Sequence, residues 1–170
     1  MPGAVPSEVF RVRKINTKDV HEEEYWSPKR TMAACGRDIS IALGRKPNST
    51  DLLERHPFDV EVQRIPAGTP GYPYHSHSAQ WEFYYVLSGS GVVRDEDGRT
   101  PVVQGDAFFF KPGEAHQLIG GDAEDLVVMC IADNPIGESC HYPDSKKWLV
   151  RSPERALIRS GALDYWDGEE

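Results

Sequence analysis

The sequence predicts an all-β protein, an antiparallel sandwich or barrel, and three observations support that fold class. Fifteen Gly and thirteen Pro are spread through the 170 residues, a density that divides a chain into short elements rather than long helices. Runs rich in Val, Phe, Tyr and Ile recur at short intervals between residues 58 and 132, as they do in sandwiches and barrels. Turn-forming connectors separate these runs, and Asp97-Gly98 is a strong hairpin signal among them.

Six strands can be assigned individually, each bounded by Gly, Pro, Asp or Ser. They are FDVEVQRI (58–65), WEFYYVL (81–87), GVVRDE (91–96), TPVVQ (100–104), DAFFFK (106–111) and DLVVMCIA (125–132). DISIALG (38–44) is predicted as a further strand, and His116, which follows a Pro-Gly turn, is expected to start another. The three phenylalanines at 108–110 are expected to be core residues on both faces of their strand.

The N-terminal flank shows no strand periodicity. Residues 1–37 combine a basic patch with the acidic run HEEE, and they are predicted to form an extended arm with one edge strand. The predicted organisation is therefore this arm, a β-barrel over residues 38–132, and a C-terminal extension over residues 133–170.

The C-terminal extension is predicted to contain a short helix. Ser152 is a suitable N-cap, Pro153 suits the first helical position, and Glu154 places an acid in the first turn. Gly161 would end the helix, which leaves residues 156–158 as its central part. The acidic tail DYWDGEE follows.

Length and charge limit the classes of partner. A chain of 170 residues is long enough for one domain with its own core. The formal net charge of −8 argues against binding to nucleic acid or to anionic lipid, both of which attract cationic surfaces. No apolar run reaches the length of a membrane span, and the N-terminus lacks the apolar region of a secretory signal. Cys35, Cys130 and Cys140 contain no CxxC pattern, so a cytoplasmic location is expected.

A cluster of metal-binding residue types lies inside the strand-rich region. His75 and His77 are two positions apart, so on a strand their side chains share one face. A bend over residues 78–80 would return the chain so that Glu82 faces the two imidazoles. His116 is the fourth candidate, because the turn that precedes it would place it at the start of another strand. Three imidazoles and one carboxylate suit a divalent transition metal such as Mn, Fe, Ni or Zn.

The expected metal site is open rather than structural. Structural zinc sites are closed, tetrahedral and rich in cysteine, whereas no cysteine lies in this cluster. With four protein ligands, an octahedral ion keeps two adjacent positions for water, substrate or dioxygen. One such ion per chain is therefore the predicted cofactor.

At this point the sequence resembles the cupin superfamily, whose first motif has the form HxH, four residues, Glu, six residues, Gly. The residues that carry the two motifs are His75, His77, Glu82 and Gly89, then Gly105, Pro112, Gly113 and His116. The resemblance implies a double-stranded β-helix, or jelly roll, in which the three histidines and Glu82 bind the metal. It also implies a homodimer. The C-terminal tail resembles that of an uncharacterised group of bacterial single-domain cupins, some of whose relatives are labelled sugar-phosphate isomerases.

Three positions depart from the family pattern. Thr69 replaces a glycine before the first motif, Lys111 replaces a proline, and Gly120 replaces an asparagine after the second motif. These positions shape turns, so the departures leave all four metal-binding positions intact.

Further site residues are predicted from their placement. Tyr84 shares a strand face with Glu82, so it is the candidate catalytic base, although an inward aromatic is more often a packing residue. The segment after the barrel could cross its mouth and bring Tyr142, Asp144 or Lys146 to a substrate. A solvated surface loop is the competing interpretation. Tyr142 and Lys146 are the predicted pocket residues.

Three functions follow as hypotheses. The first is a metal-dependent enzyme acting on a small oxygen-rich or anionic organic substrate, either by isomerase or epimerase chemistry through an enediolate or by dioxygenase chemistry. The second is a non-catalytic module that binds or senses a metabolite. The third is a purely structural dimerisation barrel.

Overall fold

The computed structural model describes residues 12–151, 155–159 and 164–169, and strands dominate it. The strands are β1 (Glu23–Trp26), β2 (Ala33–Asp38), β3 (Phe58–Ile65), β4 (Ser76–His77), β5 (Glu82–Ser88), β6 (Ser90–Arg94), β7 (Arg99–Val103), β8 (Ala107–Phe110), β9 (Gln117–Gly120), β10 (Leu126–Asp133), β11 (Ser139–Tyr142), β12 (Lys147–Val150) and β13 (Ala156–Ile158). The short helices are α1 (Ile39–Ala42), α2 (Leu52–Arg55) and two 3₁₀ turns, Thr17–Asp19 and Pro143–Ser145.

The strands form three antiparallel sheets. The largest has the order β1-β2-β3-β10-β5-β8, and smaller sheets have the orders β13-β12-β11-β4 and β7-β6-β9. Non-consecutive neighbours such as β3, β10 and β5 reflect the long crossings of a jelly roll. The predicted fold class, an all-β jelly roll, is confirmed.

One end of the barrel is filled by apolar side chains. Ile65, Val86, Leu118, Leu126 and Val128 are all fully buried there. Burying a side chain of this size contributes about 1.5–3 kcal/mol relative to leaving it exposed. The tight packing also explains a motif glycine. Gly89 has a φ of +75°, and a Cβ at this position would lie 1.9 Å from the Asp125 carbonyl oxygen. The opposite end of the barrel is therefore the end with room for a site.

Two local predictions were wrong. Residues 39–42 of the predicted strand DISIALG form α1, because the Asp38 carboxylate accepts a hydrogen bond from the Ile41 N–H at 2.7 Å and caps a helical turn. The predicted C-terminal helix is replaced over residues 156–158 by β13, in which Leu157 pairs with Leu149 of β12. Strand pairing there overrides the local helix signals, of which Ser152, Pro153, Glu154 and Gly161 lie outside the described residues.

The N-terminal segment and the phenylalanine triplet also differ from expectation. Two strands, β1 and β2, extend the large sheet, where one edge strand was predicted. Phe109 is 53% exposed, whereas Phe110 is buried, so the outward face of β8 is not covered within the described chain. No helix of the described residues has the length and apolar character needed to cross a membrane.

Candidate metal centre

Backbone pairing brings the two histidine motifs together. His75 and His116 form an antiparallel bridge, in which the His75 N–H donates to the His116 carbonyl at 3.1 Å and the His116 N–H donates back at 2.8 Å. His77 follows on β4, two residues after His75, so its ring lies on the same side. Glu82 is the first residue of β5, and its side chain points inward like that of Tyr84.

The four predicted ligands converge through one atom each. His77 Nε2 lies 3.2 Å from His75 Nε2 and 3.4 Å from Glu82 Oε2. His116 Nε2 lies 2.8 Å from the same carboxylate oxygen. Two ligands bound at right angles to one transition-metal ion, each about 2.1 Å from it, would lie about 3 Å apart. The ligand atoms of His75, Glu82 and His116 lie within 4.8 Å of one another, and His77 Nε2 is beside those of His75 and Glu82. This spacing fits a single ion.

The opposite nitrogen of each ring already has an oxygen partner. Nδ1 of His75 lies 3.0 Å from the Pro73 carbonyl oxygen, and Nδ1 of His116 lies 3.2 Å from the Glu114 carbonyl oxygen. Nδ1 of His77 lies 3.2 Å from the Glu138 carboxylate. A carbonyl or carboxylate oxygen accepts a hydrogen bond from Nδ1–H, so in the neutral rings the lone pair is on Nε2. When all three rings are neutral, their lone pairs therefore point at one place.

His116 provides a direct test of whether a metal fits. Its Nε2 is fully buried and has no hydrogen-bond partner among the described residues, although Glu82 Oε2 is only 2.8 Å away. A lone pair and a carboxylate oxygen are both acceptors, and a cation between them would satisfy both. The donor set therefore fits a divalent transition metal.

Burial and neighbouring charges shift the pKa values of three of the predicted ligands. Burial and the neighbouring His116 lower the pKa of His75 to about 3, which keeps that ring neutral. Burial alone would lower the pKa of His77, but Cys140, Glu138 and Glu82 outweigh it and raise the pKa to about 12. Burial opposes ionisation of Glu82, yet His116 and His77 hold its pKa well below the ordinary value. A bound cation would supply the positive charge that the His77 proton otherwise supplies.

Sequence reasoning missed two residues on the far side of His77. Glu138 and Cys140 are both buried, and Cys140 Sγ lies 3.6 Å from His77 Nδ1. With His77 they form a second group of metal-binding residue types. The Glu138 oxygens, however, already accept from the His77 ring and three backbone N–H groups, so this group holds an imidazole rather than an ion. No local sequence signal marks either residue.

His75, His77 and Glu82 line a cavity of about 440 Å³, and His116 Nε2 lies 2.8 Å from the Glu82 carboxylate. Tyr84 and Tyr72 line it, with their hydroxyl oxygens 3.3 Å apart, and Tyr84 Oη donates to Glu82 Oε2 at 3.2 Å. Burial raises the pKa of both tyrosines well above the ordinary value. The structure therefore places Tyr84 next to the predicted ligands, and it adds Tyr72, which the sequence did not single out.

A second carboxyl group lies in the cavity wall on β3. Glu61 is opposite Cys130, which in turn is opposite Tyr84, so the three side chains lie in one row across the sheet. The Glu61 carboxyl accepts a hydrogen bond from Gln63 Nε2 at 3.0 Å. Burial raises the pKa of Glu61 to about 7. Unlike Glu82, it has no imidazole beside it to favour the charged form.

Arginines line the same cavity. Arg45 is paired with Asp38 and Asp59 at 3.1 and 2.7 Å. Arg55 donates to the backbone carbonyls of residues 49, 134 and 135. Arg55, Arg151 and Arg155 form no ion pair within the described part of the chain. The cavity wall therefore combines carboxyl groups with positive charge that no carboxylate of the described residues neutralises.

The segment after the barrel reaches the site through β11. Cys140 pairs with His77 and His141 with Ser76, which brings Tyr142 into the cavity wall, 6.0 Å from the His75 ring between centroids. Lys146 is not among the residues that line the cavity. It lies in the β11–β12 turn with a left-handed φ of 51° and an exposed side chain. Asp144 is paired with Arg94 at 2.8 and 2.9 Å.

The comparisons with known proteins agree with this fold. Residues 61–132 match the family model described as a cupin domain. The chain therefore contains a cupin domain over these residues. That match covers both Glu82 and His116, and it confirms the superfamily that the two histidine motifs predict.

Individual relatives carry different names. The oxalate-binding protein of Thermotoga maritima is 33% identical over 57 residues, which are 34% of this chain and 47% of that protein, so the match spans about half of that relative. The structure of a sugar phosphate isomerase from a cupin superfamily of Silicibacter pomeroyi DSS-3 has a TM-score of 0.72 at 20% identity, covering 89% of this chain and 97% of that one. The polyketide cyclase RemF from Streptomyces resistomycificus has a TM-score of 0.54 at 19% identity, covering 91% and 89%. At these identities the structural likeness concerns the fold.

Proposed function

We propose that the protein is a divalent-metal-dependent enzyme that isomerises or epimerises a small, anionic, oxygen-rich substrate by moving a proton between substrate atoms. The observation that carries the proposal is the convergence of three imidazole lone pairs and one carboxylate beside a cavity that also holds proton-exchanging groups. His75, His77, Glu82 and His116 would hold one Mn, Fe, Ni or Zn ion per chain. When bound, the ion would act as a Lewis acid on a substrate carbonyl or hydroxyl oxygen.

Two side chains could move the proton. Tyr84 keeps its hydroxyl proton at neutral pH because burial raises its pKa, so it can donate that proton to a developing negative charge. Glu61 has a pKa of about 7, a value at which a carboxyl can both accept and return a proton. An isomerisation needs both steps, because the proton removed from one carbon is returned to its neighbour. We propose Tyr84 as the catalytic residue closest to the metal.

The charges on the cavity wall support an anionic substrate. Arg55, Arg151 and Arg155 line the cavity without an ion pair in the described residues, although the whole chain carries a net charge of −8. Guanidinium groups bind carboxylate and phosphate through paired hydrogen bonds. Tyr142 contributes an aromatic face to the same wall. A phosphate or carboxylate at this wall would direct the oxygen-bearing end of a substrate toward the four donors.

A second candidate is a binding module without catalysis. The relative from Thermotoga maritima is named as an oxalate-binding protein, and a small dianion with adjacent oxygens also suits a metal flanked by arginines. This candidate needs the same metal ligands but no role for Tyr84 or Glu61.

One set of measurements separates these candidates. Elemental analysis of the untagged protein is expected to find one transition metal per chain, and its loss in the variant with His75→Ala and His77→Ala. Incubation with aldose and ketose phosphates in D₂O is then expected to place deuterium on substrate carbon, detected by NMR. Thermal stabilisation by oxalate or a sugar phosphate without deuterium incorporation supports binding alone, and oxygen consumption with Fe²⁺ supports dioxygenase chemistry. A folded wild-type protein that takes up no metal contradicts the whole proposal.

The outward face of the large sheet suggests a partner for the chain. Trp81, Phe83, Phe109 and Phe58 are all exposed there, and the Trp81 and Phe109 rings stack with centroids 6.0 Å apart. Apolar patches of this kind usually mark an interface, and a symmetric dimer buries the same patch of both copies. We propose a homodimer through this face.

We also propose that the protein is cytoplasmic, since all three cysteines are free.

A further inference from the structure

Glu138 lies outside both histidine motifs, yet its carboxylate contacts His77 and the bend that follows it. Its side chain is 3% exposed. Its two oxygens accept hydrogen bonds from three successive backbone N–H groups, those of Ser78 and Ala79 at 3.0 Å and that of Gln80 at 2.9 Å. Successive N–H groups that point to one place form an anion-binding concavity. Here the anion is a carboxylate from about 60 residues further along the chain.

The three N–H groups belong to the bend that joins β4 to β5. This bend separates His77 from Glu82, so its shape determines whether the imidazole and the carboxylate meet. The residue after Gln80 is also anchored, because the Trp81 N–H donates to Asp133 Oδ1 at 2.7 Å. Glu138 thus fixes the part of the bend nearest to His77.

The same carboxylate orients the His77 ring. Glu138 Oε1 lies 3.2 Å from His77 Nδ1, so Nδ1–H donates to it and Nε2 faces the other ligands. The matching nitrogens of His75 and His116 face neutral backbone carbonyls instead. A carboxylate partner makes an imidazole a stronger electron donor than a carbonyl partner does.

We propose that Glu138 is a positioning residue of the metal centre, which fixes the tautomer and orientation of His77 and the shape of the 78–80 bend. The proposal rests on the proposed metal site. It assigns a role to the segment after the barrel, because β11 brings both Glu138 and its neighbour Cys140 against β4. Loss of a carboxylate behind a ligating histidine typically weakens metal binding about 10–100-fold.

The decisive variant is Glu138→Gln, which keeps the shape of the side chain and removes its charge. Asp133→Asn is the matched control, because Asp133 also accepts a backbone N–H of the same bend but faces no imidazole. Affinity for Zn²⁺, measured by competition with a chromogenic chelator, is expected to fall about 10–100-fold in Glu138→Gln and to stay unchanged in Asp133→Asn.

Two further readouts separate positioning from a merely structural role. In the ¹⁵N imidazole spectrum of the Zn²⁺-loaded protein, the Nδ1–H signal of His77 is expected to shift and exchange faster in Glu138→Gln, while those of His75 and His116 stay in place. Amide exchange of residues 78–80 in the metal-free protein is expected to become faster. Glu138→Asp restores the charge on a shorter side chain and is expected to recover part of the Zn²⁺ affinity. It serves as the test variant if Glu138→Gln does not fold.

The outcomes distinguish this inference from the function on which it rests. Wild-type affinity together with an unchanged His77 signal in Glu138→Gln overturns the positioning role. Wild-type protein that binds no Zn²⁺ overturns the proposed metal site. In that case the amide exchange and the Nδ1–H signal of the metal-free protein still decide whether Glu138 orients His77.

Discussion

The two faces of β5 carry opposite chemistry. Inward-pointing Glu82 and Tyr84 contribute a carboxylate and a hydroxyl to the cavity, and Tyr84 is 1% exposed. Outward-pointing Phe83 and Tyr85 are aromatic and 40% and 39% exposed. An antiparallel sheet with one face in water usually shows the reverse, with apolar residues inward and polar residues outward.

Strand β3 repeats this inversion. Its acidic residues Asp59 and Glu61 line the cavity, whereas Val60 and Val62 point to the opposite face of the sheet. Alternation along a strand therefore separates two faces without saying which of them is inside. A buried polar face is costly unless its groups have partners, so such a face identifies the side of the barrel that carries the functional groups. The exposed apolar face identifies a surface that is expected to pack against another molecule.

The first prediction contrasts neighbours on the two faces of β5. Glu82→Ala removes a ligand and leaves His116 without its nearest polar atom, so Zn²⁺ affinity is expected to fall at least about 100-fold. Phe83→Ala, one residue away on the outer face, is expected to leave the affinity unchanged. Chelator competition on both variants measures the difference, and equal affinities would show that the inner face binds no metal through Glu82.

The second prediction concerns the proposed packing of a second copy of the chain against the outer face. Phe109→Lys places a charge in the proposed dimer interface, where an unpaired buried charge costs about 3–5 kcal/mol. Light scattering coupled to size exclusion is expected to find a dimer for wild type and a monomer for this variant. Val103→Lys on β7 is the control, because Val103 is equally exposed but belongs to another sheet. A monomeric wild-type protein, or loss of the dimer in both variants, would place the interface elsewhere.

The sequence was sufficient where local periodicity decides the structure. Strand β3 has the predicted bounds, since apolar and polar residues alternate over FDVEVQ and Pro57 and Pro66 flank the run. The closeness of His75 and His77 follows from their spacing of two. Contacts between distant segments were not predictable in this way. Glu138 meets the bend only because β11 pairs with β4, and no residue near Glu138 in the sequence signals that pairing.

Local competition explains the wrong assignments. At Asp38 a side-chain cap favours a helical turn over the continuation of β2. At residues 156–158 the helix signals are outweighed by hydrogen bonds to β12, since tertiary pairing readily overrides a weak propensity. The inward placement of Glu61 was missed because apolar Val60 and Val62 are the obvious candidates for the core.

The third prediction uses Glu61, an inner-face carboxyl without an imidazole partner. Its pKa is about 7 in the folded protein against an ordinary 4.5, so folding takes up a proton between these values. Unfolding free energy is therefore lost as pH rises from about 4.5 to about 7, by up to about 3 kcal/mol. The variant Glu61→Gln has no carboxyl group at this position, so it does not lose unfolding free energy in this way.

Urea unfolding with a chelator present tests this directly. The stability of Glu61→Gln relative to wild type is expected to increase between pH 5 and pH 8, with groups common to both proteins cancelling. A difference that is the same at both pH values would mean that Glu61 titrates normally and is unsuited to the proton transfer proposed for it.

The fourth prediction returns to β5 at the packed end of the barrel, where its inner face is apolar. Val86 is fully buried there and Leu87 faces outward. Val86→Ala removes two methyl groups from the core and leaves a small cavity, so the unfolding free energy is expected to fall by about 2 kcal/mol. Leu87→Ala removes more carbon but from an exposed position, and a loss below about 0.5 kcal/mol is expected in the monomeric background of Phe109→Lys. Chemical denaturation of both variants in that background measures the two losses. Equal losses would mean that the outer face is buried within a single chain, and that its exposed aromatic residues need no second copy to cover them.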